Sequence, residues 1–131
     1  MKEIIDLIER YRACWVTVMR ETHDVGSLNG FFHLPCFFIG GDGSVSCFRT
    51  ADDISAFHGP RLDQFLKGGV TNNRVRSCDV LSLGTRSALA LVNWELVRAD
   101  DSVERAWRHS YNVVKTDHGW KIVVSTFQGG S

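Results

Sequence analysis

The sequence predicts an α+β fold whose helices and curved antiparallel sheet enclose an apolar pocket. Three observations predict it. Apolar residues recur at helical spacing over residues 3–22. From residue 70 onward the spacing changes to the alternation of strands. The connections between those strands are short, so neighbours pair antiparallel.

The helix over residues 3–22 carries Ile4, Ile8, Tyr11, Trp15, Val18 and Thr22 on one stripe and stops near His23-Asp24, before Gly26. Residues 24–30 form a short second helix or an ordered loop. Phe31 to Ile39 is an apolar strand, Gly40-Gly41-Asp42-Gly43 a turn, and Ser44 to Arg49 the return strand of a hairpin. Pro35 lacks a backbone donor and suits an edge strand or a strand start. Thr50 caps a second helix, with Asp53 three residues on. It runs through Ile54, Phe57, Leu62, Phe65 and Leu66 to Gly68-Gly69, with a kink or break expected at Gly59-Pro60. Val70–Leu83, Ser87–Ala99, Val103–Lys115 and Trp120–Phe127 then read as four strands of a meander.

The length of 131 residues suits one domain over 1–131. With 44% apolar and 23% charged residues the chain is globular rather than disordered. Lys+Arg and Asp+Glu number 15 each, so neither a nucleic-acid partner nor a polybasic membrane anchor is expected. No apolar run approaches the ~20 residues of a membrane helix. Acidic residues interrupt the N-terminus where a signal peptide needs a basic start and an apolar run, so a cytoplasmic location is expected. Cys14, Cys36, Cys47 and Cys78 form no CxxC pair, which favours small buried side chains over a zinc site, a disulfide framework or a nucleophile. There is no HExxH, HxxxH, P-loop, GxGxxG or GxSxG, so no metal and no cofactor is expected.

The last hairpin fixes a register. If its turn centres on Asp117-His118, Lys115 lies opposite Trp120. Trp107, His109, Tyr111 and Val113 then share one face with Trp120, Ile122 and Val124. Arg108, Ser110, Asn112, Lys121 and Ser125 take the other. On the preceding strand Trp94 shares its face with Val92 and Leu96, and the reversed register would instead turn Asn93 and Glu95 inward.

This element order, the opening helix with Tyr11 and Trp15, and the ending Tyr111-Asn112-Val113-Val114-Lys115-Thr116-Asp117-His118-Gly119-Trp120-Lys121-Ile122 resemble the nuclear transport factor 2-like superfamily, with its ketosteroid isomerase-like and SnoaL-like members. The resemblance spans essentially the whole chain. It implies a cone-shaped fold, with a long N-terminal helix packed in a strongly curved, mixed or antiparallel sheet of about six strands, whose open end leads to a pocket, and a homodimer paired through the outer sheet face. Such proteins include isomerases, dehydratases, hydrolases and non-catalytic interaction domains, so fold does not decide function.

Isomerases of that group need a base beside the substrate carbon and a donor for the developing oxyanion. Tyr11 corresponds to the helix-1 donor. The usual hairpin carboxylate is missing from Phe31–Ile39, where His33 is the base that remains besides Cys36. The other reading of His33 is a strand residue bonded to a nearby carbonyl. His109 and Tyr111 bring polar tips to the inward face, unless each is simply satisfied within a core. The catalytic set expected is therefore Tyr11, His33 and His109. The pocket set adds Trp15, Trp94 and Tyr111, with His58 looking toward the pocket mouth. Two functions follow: a domain that binds a small apolar or aromatic molecule, with or without isomerase, dehydratase or hydrolase chemistry, and a non-catalytic homodimerisation module.

Overall fold

A computed structural model describes residues 1–129. Helix α1 spans Lys2–Thr17 and buries Ile4, Leu7, Ile8, Tyr11 and Trp15. Its continuation, Val18–Thr22, widens into a π-turn that ends on left-handed His23. The extra residue in that turn advances the stripe, so Met19 is buried and Thr22, expected inside, is exposed. A 3-10 helix over Val25–Phe31 follows, its first turn capped by the Asp24 carboxylate on the Gly26 N–H.

Strands β1 (Phe32–Ile39) and β2 (Val45–Phe48) form the expected hairpin. Helix α2 (Ala51–Lys67) begins at a full capping box: Thr50 Oγ1 accepts from the Asp53 N–H at 3.2 Å, and Asp53 accepts from the Thr50 N–H at 3.2 Å. The expected break at Gly59-Pro60 does not occur, and α2 is continuous through Pro60. Gly59 has no Cβ to meet the proline ring, which removes part of the usual pre-proline clash. Buried Ile54, His58 and Leu62 then hold one face together across the lost hydrogen bond.

Strands β3 (Val70–Ser82), β4 (Ser87–Arg98), β5 (Val103–Thr116) and β6 (Gly119–Gln128) form the meander within a residue or two of expectation. The sheet order is β2-β1-β6-β5-β4-β3, and β1 pairs parallel with β6, so the sheet is mixed and open. That makes β1 an interior strand, against the edge position expected for Pro35. The proline is tolerated because β1 pairs with β2 only from Cys36 onward, and its ladder with β6 is interrupted between Phe32 and Phe37.

The closing hairpin has Lys115 opposite Trp120, as expected. A bulge then intervenes: Val113 faces Ile122 but Asn112 faces Val124, which leaves Val123 as the extra residue. Beyond it the alternation of β6 is reversed. Ser125 and Phe127 turn to the inner face, beside Tyr111 and His109, and Val124 joins the outer one. On β4 Trp94 is inward, while Asn93 bonds Ser77 Oγ at 2.6 Å and Glu95 pairs with Arg74 and Arg76 outside. Of the cysteines, Cys36 is fully buried but Cys47, on edge strand β2, is exposed. No helix among the described residues is long and apolar enough to cross a membrane.

Candidate functional site

The inner face of the sheet and the two helices enclose a cavity of about 440 Å³. This lies within the usual range for small-molecule sites. Helix α1 contributes Tyr11 and Trp15, and the π-turn supplies Met19. Helix α2 lends Phe57, Arg61 and Phe65 at four-residue steps, one helical stripe. The strands add Trp94, Trp107, His109, Tyr111, Ser125 and Phe127, among others.

The aromatic walls are packed rather than loose. Tyr11 meets Tyr111 edge-on at 6.0 Å and Trp94 at 6.4 Å. His109 stacks on Tyr111 at 4.6 Å, and Trp107 is sandwiched between Trp94 and Phe127 at 6.3 and 6.0 Å.

Two hydrogen-bond relays run through these walls. In the first, the Trp94 indole N–H donates to Tyr111 Oη at 2.9 Å. In the second, the Trp107 indole N–H meets His109 Nδ1 at 3.1 Å, and His109 Nε2 meets Ser125 Oγ at 2.7 Å. An indole nitrogen only donates, so Nδ1 accepts and the neutral imidazole carries its hydrogen on Nε2, donating it to Ser125. Each relay ends on an oxygen that already accepts from the protein and keeps its own hydrogen to donate.

Electrostatics agree with this wiring. Desolvation, reinforced by the Arg61 charge, pushes His109 down to about 3. A protonated ring would also set a second N–H against that of Trp107. Burial pushes the Tyr11 hydroxyl up to about 12, partly offset by Trp15 and Arg61, and holds Tyr111 well above its usual range. All three are neutral near pH 7. The lining contains no Asp, Glu, Lys or Cys.

Of the expected pocket residues, Tyr11, Trp15, Trp94, His109 and Tyr111 meet around this cavity. His33 does not reach it. It sits at the irregular part of β1 with Nδ1 2.9 Å from the Pro35 carbonyl oxygen, the carbonyl-bonded alternative. His58 does not reach it either. Its ring is buried behind the wall, edge-on to Trp15 at 5.5 Å and packed on Phe32, Phe38 and Phe57. Its face on α2 is the core stripe with Ile54 and Leu62, one residue round from that of Phe57 and Arg61. The remaining lining went unforeseen, including its two arginines and Ser125. Arg105 and Arg61 lie at regular spacing from Trp107 and Phe57 and were open to view, whereas Ser125 reaches the cavity only through the bulge. Among the described residues, no group of three His, Cys, Asp or Glu side chains is placed to hold a metal ion.

A long helix set against an open six-stranded mixed sheet, with a cavity between them, defines the α+β cone of the nuclear transport factor 2-like proteins. The family model described as NTF2-like protein (DUF6841) matches residues 2–129, and the chain belongs to that family. Solved structures with the same fold include an NTF-2 like protein of unknown function from Shewanella oneidensis, 15% identical, at a TM-score of 0.72 over 96% of each chain. A domain of unknown function with a cystatin-like fold from Nostoc punctiforme is 21% identical at a TM-score of 0.70, over 99% of this chain and 77% of that one. A nuclear transport factor 2-like superfamily protein from Salmonella enterica is 20% identical at 0.67, over 99% and 90%. No curated protein matches the chain.

Proposed function

We propose that the protein is a small-molecule-binding domain whose cavity takes an apolar or aromatic ligand. The observation that carries this is the cavity itself: about 440 Å³ with aromatic walls and only a few oriented polar tips. A proton-transfer enzyme built on Tyr11 and His109 has support for one half only. Tyr11, neutral and protonated, suits an oxyanion donor. His109 makes a poor base, because its lone pair is occupied by Trp107 and its basicity is suppressed. The same tautomer leaves Ser125 without a base to activate it as a nucleophile. Binding without proton abstraction is therefore the reading favoured, in a reducing compartment such as the cytoplasm, which suits four free cysteines.

The test is a thermal-unfolding titration with 2-naphthol, a neutral aromatic. Saturable stabilisation is expected, and its loss in Ser46→Trp, which places a bulky ring at an exposed position of the cavity lining. Stabilisation that persists in Ser46→Trp would assign the binding elsewhere.

Pairing of two copies through the outer sheet face is a second reading. Its support is Leu81, 58% exposed and paired across the ladder with Leu89. Sedimentation at micromolar concentration is expected to show a dimer that Leu81→Asp dissociates.

A further inference from the structure

Two guanidinium groups border the cavity and no carboxylate answers them. Arg61, on α2, and Arg105, on β5, are exposed yet line the cavity, which places both at its opening. Arg105 falls on the inward alternation of Trp107, His109 and Tyr111. Arg61 is held in place: its guanidinium lies 3.7 Å above the Phe57 ring, with Nη1 3.4 Å from the Phe57 carbonyl oxygen. Among the described residues neither arginine lies within 4 Å of an Asp or Glu oxygen, whereas Arg12, Arg74 and Arg76 are paired. The Arg61 charge reaches inward, adding to the burial that lowers His109 and slightly offsetting the burial that raises the Tyr11 hydroxyl; Arg61 is itself lowered by burial and, to a smaller extent, by the Arg105 charge. The formally charged lining is thus two cations and no anion. Deeper in, Tyr111 and Ser125 offer hydroxyl hydrogens whose oxygens already accept from Trp94 and His109.

We infer that the ligand is an amphipathic anion, an apolar or aromatic carboxylic acid, with its body among the aromatic walls and its carboxylate met by Arg61 and Arg105. A guanidinium presents a planar donor fork matched to a carboxylate. A neutral ligand would leave both positive groups at the opening without a counter-charge other than solvent. This inference rests on the binding function proposed above.

Isothermal titration calorimetry with two matched probes, 2-naphthoate and 2-naphthamide, separates the two ideas. At low salt the acid is expected to bind about tenfold tighter than the amide, the gap narrowing as salt rises. Arg61→Gln and Arg105→Gln each weaken the acid several-fold and leave the amide within about twofold, while Arg61→Lys retains part of the preference. Equal affinity for acid and amide in the native protein, or a preference that survives the double glutamine variant, overturns the anion assignment and leaves the cavity reading standing. Absence of binding by both probes at millimolar concentration overturns the cavity reading, and the anion assignment with it. If the variants do not fold, the native acid-to-amide ratio and its salt dependence decide alone.

Discussion

His58 is an imidazole enclosed by rings, with a buried Nδ1 that finds no hydrogen-bond partner. Burial, aided by the Arg61 charge, lowers it from 6.5 to about 3. The unfolded chain therefore binds the extra proton first. Stability is complete above about pH 6.5 and declines as the pH falls toward 3, by about 2 kcal/mol at pH 5 from this group alone. His58→Leu removes both the orphaned nitrogen and the titration. Urea unfolding is expected to show equal or higher stability at neutral pH and a shallower loss at pH 5; an unchanged acid slope would contradict the assignment. At Ser125 the expectation is the reverse. Ser125→Ala strands the Nε2–H of His109, and a loss of about 1–2 kcal/mol is expected at pH 7 by the same measurement. The sequence set His58 toward the pocket mouth and His109 on an inward strand face. Only the packing shows that one is sealed behind the cavity wall and the other faces the cavity.

Among the elements, α2 matters most to the site, because it presents Phe57, Arg61 and Phe65 along one stripe. Its start was legible as Thr50 with Asp53 three residues on, and the box forms as written. Thr50→Ala is expected to cost about 1 kcal/mol in chemical denaturation, with little effect at the cavity. Its continuity was less legible, since Gly59-Pro60 signals a break by backbone chemistry alone and only the packing of Ile54, His58 and Leu62 overrides it. Strand β6 was legible as a strand but not as a bulged one. Ile122-Val123-Val124 is a uniform apolar run with nothing to mark the extra residue. Deleting Val123 removes the extra residue and is expected to restore plain alternation with Ser125 and Phe127 still on the inner face, opposite Tyr111 and His109. The deletion variant should then keep its stabilisation by 2-naphthol; a folded variant that has lost the ligand response would show that Val123 is not the extra residue.

At the scale of the whole molecule, the helix stripe and the four long strands were enough to foresee an α+β domain, and the family resemblance made it a cone with Tyr11, Trp15, Trp94, His109 and Tyr111 on its inside. Period and turn chemistry carry that much, because they specify which face of each element is buried. They do not specify how the first strand joins the last. The parallel β1–β6 pairing is a long-range choice, and it places the hairpin carrying Phe38 and Ser46 beside the cavity. Each arginine was open to view from its spacing to Phe57 or Trp107, but the same limit hid that both border one cavity, since they come from elements far apart in the chain. The four tryptophans offer a direct check of the whole arrangement. Trp15, Trp94 and Trp107 line the cavity and Trp120 does not. In an NMR titration with a naphthalene-class ligand, the indole N–H resonances of the three are predicted to shift together and saturate, while that of Trp120 stays in place. A shift at Trp120 without the others, or no saturable shift at any of them, would contradict a ligand site inside the cone.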